Sequence, residues 1–162
     1  MASQDVVKIT VFREDDLTTV GRIGDDGLVQ FPLIGAVRIG GKTVRQAAAL
    51  IEQELKKDYF VAPQVNVTVT EFAKYRFSIL GQVKTPGTYE LLAHTNVDLI
   101  QAIAMAGGYT RSANPSKIIV KRAVGGEERI IRVNGKDMTK DGKTTSFVVL
   151  PGDTIVVAEN FF

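Results

Sequence analysis

Gly24-Asp25-Asp26-Gly27-Leu28-Val29-Gln30-Phe31-Pro32-Leu33-Ile34-Gly35 in the first half of the chain, and Ile79-Leu80-Gly81-Gln82-Val83-Lys84-Thr85-Pro86-Gly87-Thr88-Tyr89 in the second, decide how the sequence reads. Each is a run of strand-forming residues broken by turn formers, and each leads into a helical pattern. In the first, Asp25-Asp26-Gly27 reads as a hairpin-type turn between residues 20–23 and 28–31, with glycine accepting a positive φ. In the second, proline fixes φ and glycine supplies the positive one in Lys84-Thr85-Pro86-Gly87.

Outward from these turns lie two helices. Thr43 is a good N-cap and Gln46, three residues on, closes a capping box. Val44, Ala47, Ala48, Ile51 and Leu55 make the apolar stripe, and Lys56-Lys57 suits the negative end of the helix dipole. Asp98 and Gln101 repeat the cap, Leu99, Ile100, Ala102, Ile103 and Met105 supply the apolar positions, and Gly107 takes the C′ place. The shared cap, glutamine and alanine positions hint at two similar β-plus-helix units.

The remaining pattern is strands. Val7, Ile9 and Val11 alternate with polar residues, as do Val65, Val67 and Val69 after Pro63. Arg13-Glu14-Asp15-Asp16 reads as a polar loop and Val37-Arg38-Ile39 as a short strand. Phe77 and Ile79, Tyr89 and Leu91, Ile118 to Val124, and residues 130–133 read as further strands. Residues 134–144 read as a polar loop, and 147–150 and 154–157 as strands joined by Pro151-Gly152-Asp153. The expectation is an α+β fold of two small β-rich domains, at 5–73 and 74–160, each with one main helix, with a weakly marked junction near Phe72 to Tyr75.

Composition narrows the function. The 162 residues carry 44% hydrophobic and 23% charged residues, enough for a real core without staples. There is no cysteine, which excludes disulfides, thiolate metal sites and thiol nucleophiles. A net charge of +2 counts against a dedicated nucleic-acid binder. Met1-Ala2-Ser3-Gln4 has neither the basic nor the apolar part of a leader, and no apolar run approaches a membrane span.

No catalytic, cofactor or metal constellation stands out. His94 is the single histidine and sits in a polar hairpin region. Asp15-Asp16 and Asp25-Asp26 are adjacent pairs, whereas acid/base work needs two carboxylates facing one substrate. Gly107-Gly108 ends a helix and lacks the dinucleotide pattern, and no serine lies in a nucleophile elbow. Lys74, Arg76, Lys117, Lys121, Arg122, Arg129 and Arg132 read first as edge-strand charges that block aggregation, and second as a surface for an acidic polymer. Tyr59, Phe60, Phe72, Tyr75, Tyr89 and Tyr109 read first as core or interface aromatics, and second as platforms for sugar rings. Phe161-Phe162 has no visible partner.

Taken in order, these motifs resemble the bacterial outer-membrane polysaccharide export family. The first half is similar to its export domain, through Asp25, Gly27, Phe31 to Gly35, Val37 to Thr43, and Pro63 to Val67. The second is similar to the SLBB domain, a soluble-ligand-binding β-grasp module, through Gly81-Gln82-Val83, Pro86-Gly87, Ala102 to Gly108 and Leu150-Pro151-Gly152-Asp153. The resemblance implies a periplasmic protein associated with the outer membrane, a ring-forming homo-oligomer that conducts capsular polysaccharide or exopolysaccharide without chemistry. It implies an inner-membrane co-polymerase, often coupled to a tyrosine kinase, as partner, and the polysaccharide chain as cargo. In that frame Phe31 and Leu33, and Tyr109, Arg111 and Asn114, are candidate subunit or polymer contacts. Family members usually carry a leader and an acylated cysteine. Their absence here implies a trimmed fragment or a short form, with no membrane insertion by these residues. The alternatives are a monomeric carbohydrate- or small-ligand-binding module and a nucleic-acid-associated β protein.

Overall fold

The computed structural model describes residues 1–140 and 146–161, and the chain divides into two compact units, Met1–Ala73 and Lys74–Phe162. Both are mixed α+β and rich in strands, with one main helix each.

In the first unit β1 (Val6–Val11) lies between β2 (Glu14–Arg22) and β5 (Val65–Glu71), all antiparallel. Val7 faces Val69, Ile9 faces Val67 and Val11 faces Val65. Period-two alternation therefore puts one β-branched face on the core. The helix α1 (Val44–Asp58) contributes Ala47, Ile51 and Leu55, all fully buried and spaced by four. Its capping box is formed: Gln46 N donates to Thr43 Oγ1 at 3.1 Å and Thr43 N to Gln46 Oε1 at 3.0 Å. Val44, expected in the stripe, is 43% exposed in the first turn. Asp5 is buried, and its two carboxylate oxygens accept from Ala2 N and Ala73 N, both at 2.7 Å. One carboxylate thus ties together the two ends of the unit.

Two readings need correction here. Glu14, Asp15 and Asp16 are the start of β2, not a loop; β2 is an edge strand with only Leu17 buried, so its sequence carries no alternation to detect. Asp25-Asp26-Gly27 is not the hairpin joining two paired strands. β3 (Leu28–Phe31) pairs instead with β4 (Gly35–Arg38), and the hairpin turns at Pro32-Leu33-Ile34. Gly27 serves another purpose: its carbonyl accepts from Ile39 N at 3.0 Å and Gly40 N at 2.9 Å, and a Cβ on Gly40 would fall 2.7 Å from Gly27 Cα. Two backbones meet there with no room for a side chain.

The second unit is a five-stranded sheet. Its strands are β6 (Lys74–Gly81), β7 (Gly87–Leu92), β8 (Ala113–Val124), β9 (Glu127–Val133) and β10 (Thr154–Glu159), in the order β7-β6-β10-β8-β9. Only β6 and β10 are parallel. The helix α2 (Leu99–Met105) adds Leu99, Ala102 and Ile103 to a core of Phe77, Ile79, Ile118, Val120, Ile155 and Val157. Its cap matches that of α1, with Gln101 N donating to Asp98 Oδ1 at 2.8 Å. The sheets differ in strand number and direction, so the shared caps do not reflect duplicated units.

Residues 147–150 do not form the expected strand. Val148 bridges Asp98, Leu99 N donates to Phe147 O, and Val149 N to Val97 O, so this segment braces the start of α2. In the expected loop of 134–144, residues 137–139 form a short 3-10 turn that buries Met138, while 141–145 lie outside the described residues.

The firmest polar anchor is Asp153, whose side chain is fully buried. It accepts from Arg122 Nε at 2.9 Å, Arg122 Nη2 at 2.7 Å and Leu150 N at 2.9 Å. Arg122 also donates to Val148 O at 2.9 Å and lies over the Phe147 ring. The bond to Asp153 raises the arginine's pKa further above its ordinary value. Replacing Arg122 by methionine leaves a buried carboxylate unpaired and should cost about 3 kcal/mol or more of unfolding free energy, read from urea denaturation. Arg76→Met, at a solvent-exposed pair, should leave the midpoint essentially unmoved. A second variant tests the hairpin tip. Leu33 sits at φ 72°, the left-handed region that disfavours a branched side chain. Leu33→Gly should raise the unfolding free energy by about 0.5–1 kcal/mol.

Candidate functional site

The first unit offers the β3–β4 hairpin tip. Phe31 is 3% exposed and packs in the core with Val29 and Val37, so it is no surface contact in the folded chain. The strand period explains this: Phe31 is two residues from buried Val29 and shares its face. Leu33, two further on, has left the strand and is half exposed. Tyr59, at the C-cap of α1, donates its hydroxyl to Leu33 O at 3.0 Å and is itself half exposed. An aliphatic and an aromatic side chain are thus held together at the tip by a bond that also steadies a strained backbone. Sequence reading placed Tyr59 among several aromatics without linking it to Leu33.

The second unit offers the stretch from Gly108 to Asn114, which proves to be well tied. Lys84 N donates to Gly108 O, Thr110 N to Gln82 O, and Asn160 N to Ser112 O. Thr110 Oγ1 donates to Gln82 Oε1 at 2.7 Å. Gly81 makes this close approach possible: at φ 85° it lies against β10, and a Cβ would fall 2.2 Å from Val157 O. Tyr109 bridges Val83 and buries its hydroxyl with no hydrogen-bond partner among the described residues. Burial raises its pKa. Asn114 spends its side-chain oxygen on Ser116 N at 3.1 Å. Arg111 is exposed in the turn before β8. Of these three candidates, Arg111 alone presents an open side chain.

Most of the cations are already engaged. Lys74 and Arg76 both hold Glu90, each at 3.0 Å, and their hydrogen bonds lower its pKa. Lys121 faces Glu128 at 3.6 Å, and Arg122 is committed to Asp153. Lys117 and Arg132 instead border a groove of about 490 Å³ floored by Ile118, Ile119, Val133 and Ala158. The aromatics are similarly spent: Tyr89 stacks on Phe77 with ring centroids 5.9 Å apart, and Tyr75 donates to Thr95 O at 3.1 Å.

The acid pairs do structural work. Asp26 Oδ1 accepts from Leu28 N and Asp25 Oδ1 from Gln4 Nε2, while Asp15 and Asp16 are successive strand residues on opposite faces. Among the described residues no three acidic or histidine side chains converge as metal ligands. The surfaces described thus comprise an apolar tip, a braced turn and a cation-rimmed groove.

Comparison with known proteins agrees with this layout. Residues 1–70 match the family described as polysaccharide biosynthesis/export protein, and residues 75–157 match the SLBB domain. The EPS I polysaccharide export outer membrane protein EpsA of Ralstonia solanacearum is 28% identical over 138 residues, covering 85% of this chain and 35% of that protein. The exopolysaccharide production protein ExoF of Rhizobium meliloti is 30% identical over 93 residues, covering 57% of this chain and 21% of that protein. The chain therefore spans about a third or less of the length of these relatives. An export domain followed directly by an SLBB domain, across nearly all of its residues, makes this chain a member of the polysaccharide export family.

Proposed function

We propose that the chain is a periplasmic, ring-forming component of a translocon that carries capsular polysaccharide or exopolysaccharide to the outer membrane. The observation that carries this reading is the ordered pair of domain matches over residues 1–70 and 75–157. The names of the relatives, an export outer membrane protein and an exopolysaccharide production protein, support it. In this reading the domains hold open a wide, hydrated passage and dock an inner-membrane co-polymerase, often coupled to a tyrosine kinase. The polymer passes without chemical change.

The contact surfaces belong to the same proposal. Leu33, with Tyr59 beside it, is a half-exposed apolar tip suited to a neighbouring subunit. Arg111, on the braced turn after Tyr109, is placed for polymer or subunit contact. The proposal gives these residues a periplasmic place, supported by the name of the relative EpsA, an export outer membrane protein. The groove beside Lys117 and Arg132 favours a second reading, a monomeric module for anionic sugars.

Light scattering over a wide concentration range separates the two. The ring reading predicts a mass that rises from 17.6 kDa to a plateau at an integral multiple, and that Leu33→Asp returns to the monomer value. A mass fixed at 17.6 kDa throughout, with saturable calorimetric binding of acidic oligosaccharides, would favour the module instead.

A further inference from the structure

The sheet of the second unit ends in two edge strands, β7 and β9, and their open sides can be worked out residue by residue. β8 and β9 are joined by Gly125-Gly126, both at positive φ, with Val124 facing Glu127. A two-residue loop of this kind is closed by a hydrogen-bonded pair. Glu127, Arg129, Ile131 and Val133 therefore bond to β8. Glu128, Ile130 and Arg132 aim their N–H and C=O groups away from the sheet.

On the other side, Ser78 N donates to Asp153 O, Gln82 N to Val157 O, and Arg76 O accepts from Gly152 N. The even residues of β6 thus face β10 and its approach. The odd residues Tyr75, Phe77 and Ile79 face β7, opposite Leu91, Tyr89 and Gly87. Thr88, Glu90 and Leu92 are left pointing outward. The strand directions also fit, because β7 runs against β6, β6 runs with β10, and β8 and β9 each reverse once more. Hence β7 and β9 run in opposite directions, and one sheet can continue into the next as an antiparallel pair.

We infer that β9 of one copy of this chain pairs with β7 of the next, with Arg132 opposite Glu90 and Ile130 opposite Leu92. In this register both pairs fall on residues whose backbone groups point outward. On the outer face Ile130, 60% exposed, meets Leu92, 37% exposed. Arg132 comes within reach of the remaining lone pairs of the Glu90 carboxylate, whose Oε1 and Oε2 are already held by Lys74 and Arg76 at 3.0 Å. On the inner face Ile131 meets Leu91 and Val133 meets Tyr89, four side chains that each pack on the edge of the core. Sliding the strands by one step of the pleat sets Ile130 against Glu90 and Glu128 against Leu92. A second step sets Glu128 against Glu90. Neither matches apolar to apolar and charge to opposite charge.

The contact is heterologous, joining different edges of identical chains, and contacts of this kind close into rings when the rotation permits. It rests on the assembly reading above and adds to the Leu33 tip of the first unit a second contact, between sheet edges of the second unit.

The absence of cysteine makes the test clean. Leu92→Cys and Ile130→Cys are prepared as separate variants of the full chain, checked for folding by circular dichroism, mixed and oxidised. Directly opposite residues of an antiparallel pair are about 4.5–5.5 Å apart at Cα, within disulfide reach. The mixture should cross-link at least tenfold faster than either variant alone, and than Thr88→Cys mixed with Ile130→Cys, where the partner lies about 13 Å further along the strand. A double Leu92→Cys/Ile130→Cys variant should give a ladder of multimers. Arg132→Glu should raise the concentration needed for assembly about tenfold. Ile130→Cys dimerising alone as fast as the mixture would replace this contact by a two-fold β9–β9 pairing. A defined oligomer by light scattering with no 92–130 cross-link overturns the interface and leaves the assembly standing. A monomer with no cross-link overturns both.

Discussion

The second unit depends on one buried ion pair. Asp153 is drawn out of water at the entrance to β10 and accepts two bonds from Arg122 on β8 and a third from Leu150 N, while its own carbonyl takes Ser78 N from β6. β10 is the central strand, and its neighbours come from distant parts of the sequence. A parallel β6–β10 pairing has no hairpin to set its register. The carboxylate sets it chemically, since a slip would strand a charge where it cannot be solvated. With the register fixed, Ile155 and Val157 enter the core between Ile79, Val120 and Ile118. Asp5 plays a smaller version of this part in the first unit, where Ala2 and Ala73 meet on its two oxygens.

Legibility in the sequence followed the range of the interaction. Both capping boxes, the stripe of α1, the alternation of β5 and the glycine stop of α2 are encoded within a few residues, and each was visible. Only the end of β2, from Val20, reads as strand in the sequence; its beginning is hidden because an edge strand with two wet faces shows no period. The β3–β4 hairpin was misplaced because Asp-Asp-Gly is the stronger local turn signal, while the real turn puts leucine where glycine is usual. Arg122 and Asp153 are separated by 31 residues, and nothing local distinguishes Arg122 from the cations around it. Leu150-Pro151-Gly152-Asp153 was correctly seen as a turn before a strand, but its aspartate's burial is a tertiary fact.

The candidate site was legible to a similar degree. Phe31 and Leu33 read in sequence as one contact segment, yet Phe31 belongs to the core and Leu33 to the surface, a division that period two decides once the strand's end is known. Tyr109 precedes the turn and Asn114 lies just inside β8, in a stretch braced by hydrogen bonds that Lys84 N and Asn160 N donate to it and that Thr110 donates to Gln82. Four of the seven basic residues are held in ion pairs with Glu90, Glu128 and Asp153, Lys117 and Arg132 border an apolar groove, and Arg129 is exposed on β9. That pattern suits subunit contacts better than a polyanion track, in which the cations would stand free. The edges of the second sheet were invisible in one dimension, because their match depends on which backbone groups the folded sheet leaves open.

An export component that works by enclosing a passage must close on itself. Electron microscopy of the assembled protein, with class averages viewed down the assembly axis, tests this most directly. The account predicts closed rings of one subunit number around an open centre. Open filaments or isolated single particles at concentrations where the mass has reached its plateau would contradict it.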